Sequence, residues 1–367
     1  MNIPFLDLKA QYKSIKPEID KAIKKVIDSQ RFVLGQELES FEKEFAKYLG
    51  VKYVVGVNSG TDGLILALLS LDIGKGDEVI TPANSFVATT NAIVQIGAKP
   101  ILVDCNPNTY QIDIKRVEEA VTKTTKAILP VHLYGAPSEI DKLKKVAKRY
   151  KLLLIEDACQ AHGATLNNNK LGTFSDLGVF SFYPGKNLGA YGDGGAIVTN
   201  NKNLYEKLLK LRNYGQSKKY YHDNFGINSR LDEIQAAILR VKLKYLDKWN
   251  KERNKIADNY NESLKNYKTQ KIIKNGKSCY HLFVIESDNR DKLQRYLLDN
   301  GIHVLIHYPV PIHLQKTYRR LGYKEGDFPN AEKLSKTLLS LPLYPEITNK
   351  EIMHVSKFIN IFDEIDA

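Results

Sequence analysis

Short apolar runs alternate with amphipathic segments through the first half of the chain. The apolar runs are brief and rich in β-branched side chains, which is typical of buried strands; they lie at residues 54–57, 77–81, 100–104, 126–131 and 152–157. Helical segments fall between them, and in one of these Leu143, Val146 and Ala147 form an apolar stripe while the lysines face water. Strands that alternate with helices predict an α/β protein whose sheet is mostly parallel and covered on both faces.

Two further strand-like runs, at residues 178–182 and 195–199, bring the predicted sheet to seven strands. After them, residues 231–260 carry the pattern of one long helix that links two units. The C-terminal part mixes predicted strands and helices and forms a small α+β unit; the strands are at 279–285 and 303–306, and the helices are at 290–300, 330–341 and 349–363. We therefore predict a large domain over residues 1–245 and a small C-terminal domain over residues 246–367.

Composition narrows the class of protein. The chain has 367 residues, of which 43% are hydrophobic and 26% charged, as in ordinary globular proteins. The net charge is +12, but the lysines are spread over polar helix faces, so we expect no nucleic-acid partner. No run is long and apolar enough for a bilayer, and the start lacks the layout of a secretion signal, so we expect no membrane partner. The cysteines lie far apart without metal-ligand spacing, so we expect no metal and a reducing cytoplasm.

The loop between the last two predicted strands of the sheet carries one lysine, Lys186, among five glycines. Glycine allows the backbone to approach a bound group closely and to adopt positive φ. A lysine held on a tight turn between two strand ends suits Schiff-base chemistry, which needs a desolvated, unprotonated amine. The alternative is a flexible surface lysine in a glycine-rich turn.

Two features upstream give this lysine a chemical context. Residues 58–61 (Asn-Ser-Gly-Thr) open an apolar helix whose free amides can bind an anion, although a plain N-cap is the alternative. Asp157 ends an apolar strand, where it could simply cap the segment that follows. A strand-end carboxylate that faces Lys186 and an anion site can instead hold a pyridinium nitrogen in its protonated form, which makes the ring an electron sink.

With these motifs the chain resembles the DegT/DnrJ/EryC1/StrS family of sugar aminotransferases. The resemblance runs from Phe5 to the last helix, and its motifs are Asn-Ser-Gly-Thr at 58–61, Glu-Asp-Ala-Cys-Gln-Ala-His-Gly at 156–163, the glycine-rich loop at 181–195 and Gly-Ile-Asn-Ser-Arg-Leu-Asp-Glu-Ile-Gln-Ala-Ala at 226–237. It implies the type I fold of aspartate aminotransferase and pyridoxal 5′-phosphate as cofactor. Because the chain keeps a lysine where some members have histidine and act as dehydratases, the resemblance favours amino transfer.

The resemblance also implies a role for each matching residue. Lys186 would hold the cofactor through its aldehyde and move the proton during transfer, and Asp157 would pair with the pyridine nitrogen. The remaining cofactor contacts would be Gln160 at the phenolic oxygen, Phe86 on the ring, Gly60, Thr61 and Ser181 at the phosphate, and Asn228 at the phosphate from the neighbouring subunit. The contact of Asn228 with the neighbouring subunit's site means that the resemblance also implies a homodimer with shared active sites. His162 is expected to orient Asp157, and Arg31 and Phe32 to border the partner's site.

For the substrates, the resemblance implies L-glutamate as amino donor and a nucleotide-linked keto sugar as acceptor. The sequence of residues 183–190 resembles that of the branch that acts on 3-keto-6-deoxy dTDP-sugars. This branch makes 3-amino-3,6-dideoxy sugars, for a surface polysaccharide or glycan. Amination at C4, or of a UDP-sugar or inosose, is the alternative. The candidate substrate contacts are Tyr183, Lys219, Arg230, His307, Tyr308 and His313. A structural hydrogen bond remains the alternative for each histidine, and a solvated side chain for Lys219. From another class, a non-catalytic dimeric cofactor-binding regulator is the alternative.

Overall fold

The computed structural model describes residues 1–366. Its α-helices are α1 (Leu8–Ser29), α2 (Gln36–Leu49), α3 (Gly60–Ser70), α4 (Val87–Gln95), α5 (Ile114–Glu119), α6 (Ile140–Tyr150), α7 (Lys202–Leu211), α8 (Glu233–Leu243), α9 (Leu246–Ser263), α10 (Arg290–Asp299), α11 (Pro329–Thr337) and α12 (Asn349–Asp366). Short 3-10 turns lie at Leu133–Gly135, Ile312–Leu314 and Lys316–Leu321. None of the helices within residues 1–366 has both the length and the apolar character that crossing a membrane requires.

The strands form one large sheet and several small ones. They are β1 (Tyr53–Val57), β2 (Glu78–Pro82), β3 (Lys99–Val103), β4 (Thr125–Ile128), β5 (Leu153–Asp157), β6 (Thr165–Leu166), β7 (Asn169–Lys170), β8 (Leu177–Ser181), β9 (Gly195–Thr199), β10 (Gln216–Lys218), β11 (Tyr221–His222), β12 (Lys268–Thr269), β13 (Gly276–Lys277), β14 (Phe283–Glu286) and β15 (Leu338–Leu341). The large sheet has seven strands in the order β1-β9-β8-β5-β4-β2-β3.

Only β9 runs against its neighbours in this sheet. It pairs antiparallel with β1 and with β8, whereas the β8–β5, β5–β4, β4–β2 and β2–β3 pairs are parallel. Each parallel strand is buried along most of its length, because helices cover both faces of the sheet. The predicted α/β class with a mostly parallel seven-stranded sheet is confirmed.

The carboxyl ends of the parallel strands lie at one edge of the sheet, which is where ligands bind in such folds. Asp157 is the last residue of β5, and Ser181 is the last residue of β8. The helix start at Gly60 follows β1, and the start of α4 follows β2 after a short turn. The chain order therefore brings the predicted site residues to a common edge.

A second hydrophobic core lies in the C-terminal part, around the sheet β12-β14-β15. Its buried side chains come from α9, α10, α12 and the strands between them, for example Tyr260, Leu297 and Val355. Ile3 also belongs to this core and forms an isolated parallel bridge with Ile302. The first residues of the chain therefore pack on the C-terminal unit, while the boundary between residues 245 and 246 stays a prediction.

Three sequence expectations about secondary structure were wrong. The helix expected over residues 231–260 is broken between α8 and α9, at residues 244 and 245. The strand expected at 303–306 is absent, and Leu305 makes only an isolated bridge to Ser340. The helix expected to continue to residue 341 ends at Thr337, because residues 338–341 are buried on both faces and pair with β14 as β15.

The sequence patterns also gave no prediction for α1. Its N-cap is Asp7, whose side chain accepts a hydrogen bond of 2.9 Å from the amide of Ala10. The buried side of α1, which includes Ile15 and Ile19, packs against α8 beside Trp249. Tyr12, Ala22 and Ile23 of α1 are partly buried and pack against the same cluster.

Candidate active site

A cavity of about 630 Å³ lies at the carboxyl edge of the large sheet. One wall consists of strand ends and helix starts of the sheet, including Ser59, Asp157 and Ser181. The opposite wall comes from the C-terminal part, including His307 and Leu343. This volume lies within the range of about 300–1,000 Å³ that is usual for small-molecule sites.

Lys186 lies in the turn that follows β8, and its side chain lines the cavity. Its amide donates to the carbonyl of Tyr183 at 2.8 Å. A Cβ atom at Gly189 would lie 2.4 Å from the carbonyl oxygen of Pro184, so the tight turn requires glycine there. Among the described residues, the Lys186 amine has no hydrogen-bond partner, and burial lowers its pKa from 10.5 despite the carboxylate of Asp157. The turn thus presents an amine that is disposed to be neutral and free to react.

The Asp157 carboxylate is buried at the end of β5 and is held by two donors. Thr89 donates to Oδ2 at 2.8 Å, and the amide of Cys159 donates to Oδ1 at 3.1 Å. The expectation that His162 orients Asp157 was wrong, because no hydrogen bond joins these two side chains among the described residues. His162 is instead packed beside Phe180, and burial lowers its pKa to about 3.

The start of α3 forms an anion site beside Ser181. Ser59 caps the helix by accepting from the amide of Asp62 at 3.1 Å. The amides of Gly60 and Thr61 make no hydrogen bond to the described residues, so the first turn keeps free donors next to the cavity. A Cβ atom at Gly60 would lie 2.6 Å from that of Ser181, so glycine is needed to bring this helix start against β8.

Phe86 and Gln160 border the cavity on the side of Tyr308. Phe86 precedes α4 and is 50% exposed to the cavity and solvent, and its ring centroid lies 5.4 Å from that of Tyr308. Gln160 accepts from the amide of Tyr134 at 2.7 Å and donates to the hydroxyl of Tyr308 at 3.3 Å. These two contacts fix the orientation of the Gln160 amide, while Phe86 offers an open ring face.

Three of the predicted substrate contacts line the same cavity: Tyr183, His307 and Tyr308. Tyr183 is 59% exposed. His307 is oriented by a 2.8 Å hydrogen bond between Nδ1 and the hydroxyl of Ser340. Burial lowers the pKa of His307 to about 4, so this ring is neutral near pH 7.

The other predicted residues lie outside this cavity of the single chain. Lys219 and Asn228 are exposed, and Arg230 donates to the side-chain oxygen of Asn213 at 3.1 Å. His313 is fully buried, and its Nε2 lies 2.9 Å from a carboxylate oxygen of Glu332, which matches the structural role left open from the sequence. Arg31 and Phe32 line a separate surface hollow between α1 and α2.

The cavity also contains residues that sequence reasoning did not single out: Phe5, Leu6, Thr89, Arg253 and His281. Thr89 had a usable signal, since it follows Phe86 by three residues and so occupies the same face of α4. Arg253 and His281 come from the C-terminal part, and no spacing along the chain connects them to Lys186. Their place depends on how that part packs over the sheet.

Comparison with known proteins defines the class of this protein. The profile of the DegT/DnrJ/EryC1/StrS aminotransferase family matches residues 13–360, and the chain belongs to this family. Among individual proteins, it is 46% identical to the erythromycin biosynthesis sensory transduction protein EryC1 of Saccharopolyspora erythraea, over 97% of this chain and 98% of that protein.

Two further likenesses carry more specific names. The chain is 45% identical to the dTDP-3-amino-3,6-dideoxy-alpha-D-galactopyranose transaminase of Aneurinibacillus thermoaerophilus, over 98% of this chain and 99% of the relative. The crystal structure of Streptomyces venezuelae DesV in complex with a ketimine intermediate has a TM-score of 0.97 and 44% identity, over 98% of each chain.

Pyridoxal 5′-phosphate is the cofactor of this family, and the side chains of this cavity fit it. The free amides at the start of α3 and the nearby Ser181 provide donors for a phosphate. Asp157 provides a buried carboxylate for the pyridine nitrogen, and Phe86 an aromatic face for the ring. Lys186, whose amine is unpartnered, is available to the aldehyde.

No group of three or more potential metal ligands occurs among the described residues.

Proposed function

We propose that this protein is a pyridoxal 5′-phosphate-dependent aminotransferase that aminates C3 of a nucleotide-linked 3-keto-6-deoxy sugar. The amino donor is L-glutamate, the nucleotide is dTDP, and the product is a 3-amino-3,6-dideoxy sugar. The observation that carries the proposal is the unpartnered, desolvated amine of Lys186 in one cavity with the buried Asp157 carboxylate. Membership of the aminotransferase family gives this pair its chemical meaning.

When bound, the cofactor supplies a conjugated ring that draws electron density from the substrate carbon next to the transferred nitrogen. Asp157 places a negative charge where it keeps a pyridine nitrogen protonated, and Thr89 holds that carboxylate in position. Lys186 Nζ accepts and returns the proton, which requires a neutral amine at working pH. Burial favours that neutral form by lowering its pKa.

Amination at C3 rests on two supports. The loop at residues 183–190 resembles the branch that acts on 3-keto sugars, and the Aneurinibacillus thermoaerophilus relative is named as a transaminase of a 3-amino-3,6-dideoxy sugar. Tyr183, His307 and Tyr308 line the cavity and are the proposed sugar contacts. Amination at C4, or of a UDP-linked sugar or inosose, remains the alternative and is less favoured.

We also propose a homodimer in which each subunit completes its partner's site. The segment around residues 214–228 carries large exposed side chains, and Tyr221 and Phe225 are 64% and 103% exposed. Several exposed large side chains grouped in one segment are typical of a surface that a partner covers. In the dimer, Asn228 would reach the partner's phosphate, while Lys219 and Arg230 would meet the pyrophosphate of its substrate.

A cytoplasmic location and a place in polysaccharide or glycan biosynthesis are part of the same proposal. The three cysteines are free, which suits a reducing compartment. An amino sugar attached to a nucleotide is an activated form that a glycosyl-transfer reaction would consume.

The proposed function is tested by the visible absorption of the purified protein with added cofactor. We expect a yellow protein whose visible band bleaches on addition of L-glutamate and returns on addition of the 3-keto dTDP-sugar. The EryC1 relative is named as a sensory transduction protein, so a regulator is the matching alternative. A regulator would bind the cofactor without these two spectral changes, and a protein that gains no visible band would contradict the enzyme proposal.

A further inference from the structure

Arg253 differs from the other buried arginines in having no counter-ion. Arg212, Arg253 and Arg290 are 7%, 4% and 7% exposed, respectively. Arg212 forms an ion pair with Glu42, and Arg290 forms one with Asp291. Among the described side chains, no carboxylate lies within salt-bridge distance of Arg253. A buried charge is costly unless it is paired, and Arg253 has no directly paired anion among the described side chains.

The guanidinium of Arg253 is nevertheless held firmly on one side. Its Nη1 donates to the carbonyl oxygens of Leu343 at 2.9 Å, Tyr280 at 3.2 Å and His281 at 3.5 Å. Its Nε is buried without a partner, and Nη2 makes no hydrogen bond to any described residue. The nearby Glu346 attracts it only at longer range. The group is therefore fixed in position and keeps donors to spare.

Arg253 lines the same cavity as Lys186. Among the described residues that line the cavity, Lys186 is the one lysine and Arg253 the one arginine. His281 and His307 also line it, but burial lowers the pKa of both, the latter to about 4. Near pH 7 the lining therefore offers one permanent cation besides the reactive lysine, set among leucine side chains of the C-terminal part.

We propose that Arg253 binds a carboxylate of the amino donor. The inference rests on the proposed function, because it assigns the anchor of one of its two substrates. An amino-acid donor brings carboxylates into the cavity, whereas the sugar ring of the acceptor is uncharged. A planar guanidinium with spare donors suits a carboxylate, and the charge-assisted hydrogen bonds are strong in a desolvated site. The same cavity thus binds two different substrates, and only the amino donor contacts the guanidinium of Arg253.

The test separates the two half-reactions in the Arg253→Gln and Arg253→Lys proteins, each loaded with cofactor. The donor half-reaction is followed by loss of the visible band at varied L-glutamate. The acceptor half-reaction is a single turnover of the keto sugar by protein preloaded with the amine form of the cofactor. For Arg253→Gln we expect the donor dissociation constant to rise about 10- to 100-fold, while Arg253→Lys keeps part of the affinity. The acceptor half-reaction should change by less than about threefold.

Arg290→Gln is the matched control. Arg290 is also buried and donates to backbone carbonyls, those of Ser335 and Leu338, but it lies outside the cavity lining. We expect this variant, once folded, to leave both half-reactions unchanged. A purely structural role of Arg253 would instead weaken both half-reactions together, or neither, and either result overturns the inference.

The unaltered protein provides a test that does not depend on a variant folding. Glutarate is a dicarboxylate without an amine, so it should compete with L-glutamate in the donor half-reaction. Glutarate that fails to compete at concentrations well above the donor dissociation constant would overturn the inference and leave the proposed function intact. Failure of both half-reactions in the unaltered protein would overturn the proposed function itself, and the inference with it.

Discussion

The hydroxyl of Thr89 donates a 2.8 Å hydrogen bond to Oδ2 of Asp157, and both side chains are buried. Thr89 follows Phe86 by three residues, so one turn of chain at the start of α4 supplies both an open aromatic ring and the support for the carboxylate. Ser85 lies 2.9 Å from the Thr89 hydroxyl oxygen. Since the Thr89 proton points to Asp157, Ser85 donates to Thr89, and the two hydroxyls form a relay to the carboxylate.

Replacing Thr89 with valine removes this hydrogen bond and keeps the branched shape. We expect weaker cofactor binding, by about 5- to 150-fold, because an unsatisfied buried acceptor costs on the order of 1–3 kcal/mol. Equilibrium titration followed by visible absorption measures this constant. Thr89→Ser retains the hydroxyl and should restore most of the affinity. Equal binding by the valine, serine and unaltered proteins would show that the relay does not support the carboxylate.

Lys186→Ala removes the amine that faces the cavity. We expect the protein to bind the cofactor without its protein-linked visible band, and turnover to fall by at least about 100-fold, since proton transfer by a positioned group contributes 10²- to 10⁴-fold. Absorption spectroscopy and a product assay check the two effects. Lys186→Arg keeps a cation but cannot supply a neutral amine, so it should behave like the alanine protein. Retained turnover in either variant would refute the role given to Lys186.

His162 predicts an acid-dependent loss of stability. Burial lowers its folded-state pKa to about 3, below the usual value of about 6.5 in an unfolded chain. Between these values the unfolded state binds a proton that the folded state does not. The free energy of unfolding should therefore fall, by up to about 1.4 kcal/mol per pH unit from this residue, as pH drops from about 6.5 towards 3. In the His162→Phe protein, the free energy of unfolding, measured with denaturant at each pH, should fall less steeply as pH decreases. Equal slopes of this free energy against pH in the two proteins would contradict the assignment.

Gly60→Ala tests the close approach of α3 to β8. The added methyl group would lie 2.6 Å from Cβ of Ser181 and 2.9 Å from Sγ of Cys159, so the helix start must shift. We expect a loss of about 1–3 kcal/mol in stability of the cofactor-free protein, and weaker phosphate binding as well. Gly74→Ala is the control, because its nearest neighbour would be the carbonyl oxygen of Ile96 at 3.7 Å. Similar losses in both variants would argue against a special packing role for Gly60.

The sequence was most informative where function depends on positions next to one another in the chain. The strand that ends at Asp157, the helix start at Gly60 and the glycine-bedded Lys186 are all recognisable locally, and the sheet brings their ends together by a general rule. The prediction of a helix over residues 338–341 was wrong for a physical reason. Their apolar pattern suits a buried helix as well as a buried strand, and pairing with β14 decides between them.

Long-range packing explains the other failures. The carbonyls that hold Arg253 come from residues 27 to 90 positions away, so no local signal places this arginine in the cavity. His162 lies five residues after Asp157 in a recognised motif, yet the side chain that donates to Asp157 is Thr89 of α4, 68 residues earlier. Tertiary packing, and not proximity in the chain, selects which polar side chain supports the carboxylate.

The position of the new amine is the measurement that tests the central claim most directly. The protein would be incubated with cofactor, L-glutamate and, separately, the 3-keto and the 4-keto 6-deoxy dTDP-sugars, and each product assigned by NMR. We predict an amine at C3, formed from the 3-keto sugar and absent when Lys186 is replaced with alanine. An amine formed only at C4 would contradict the proposed substrate, and no amine with either sugar would contradict the proposed activity on these dTDP-sugars.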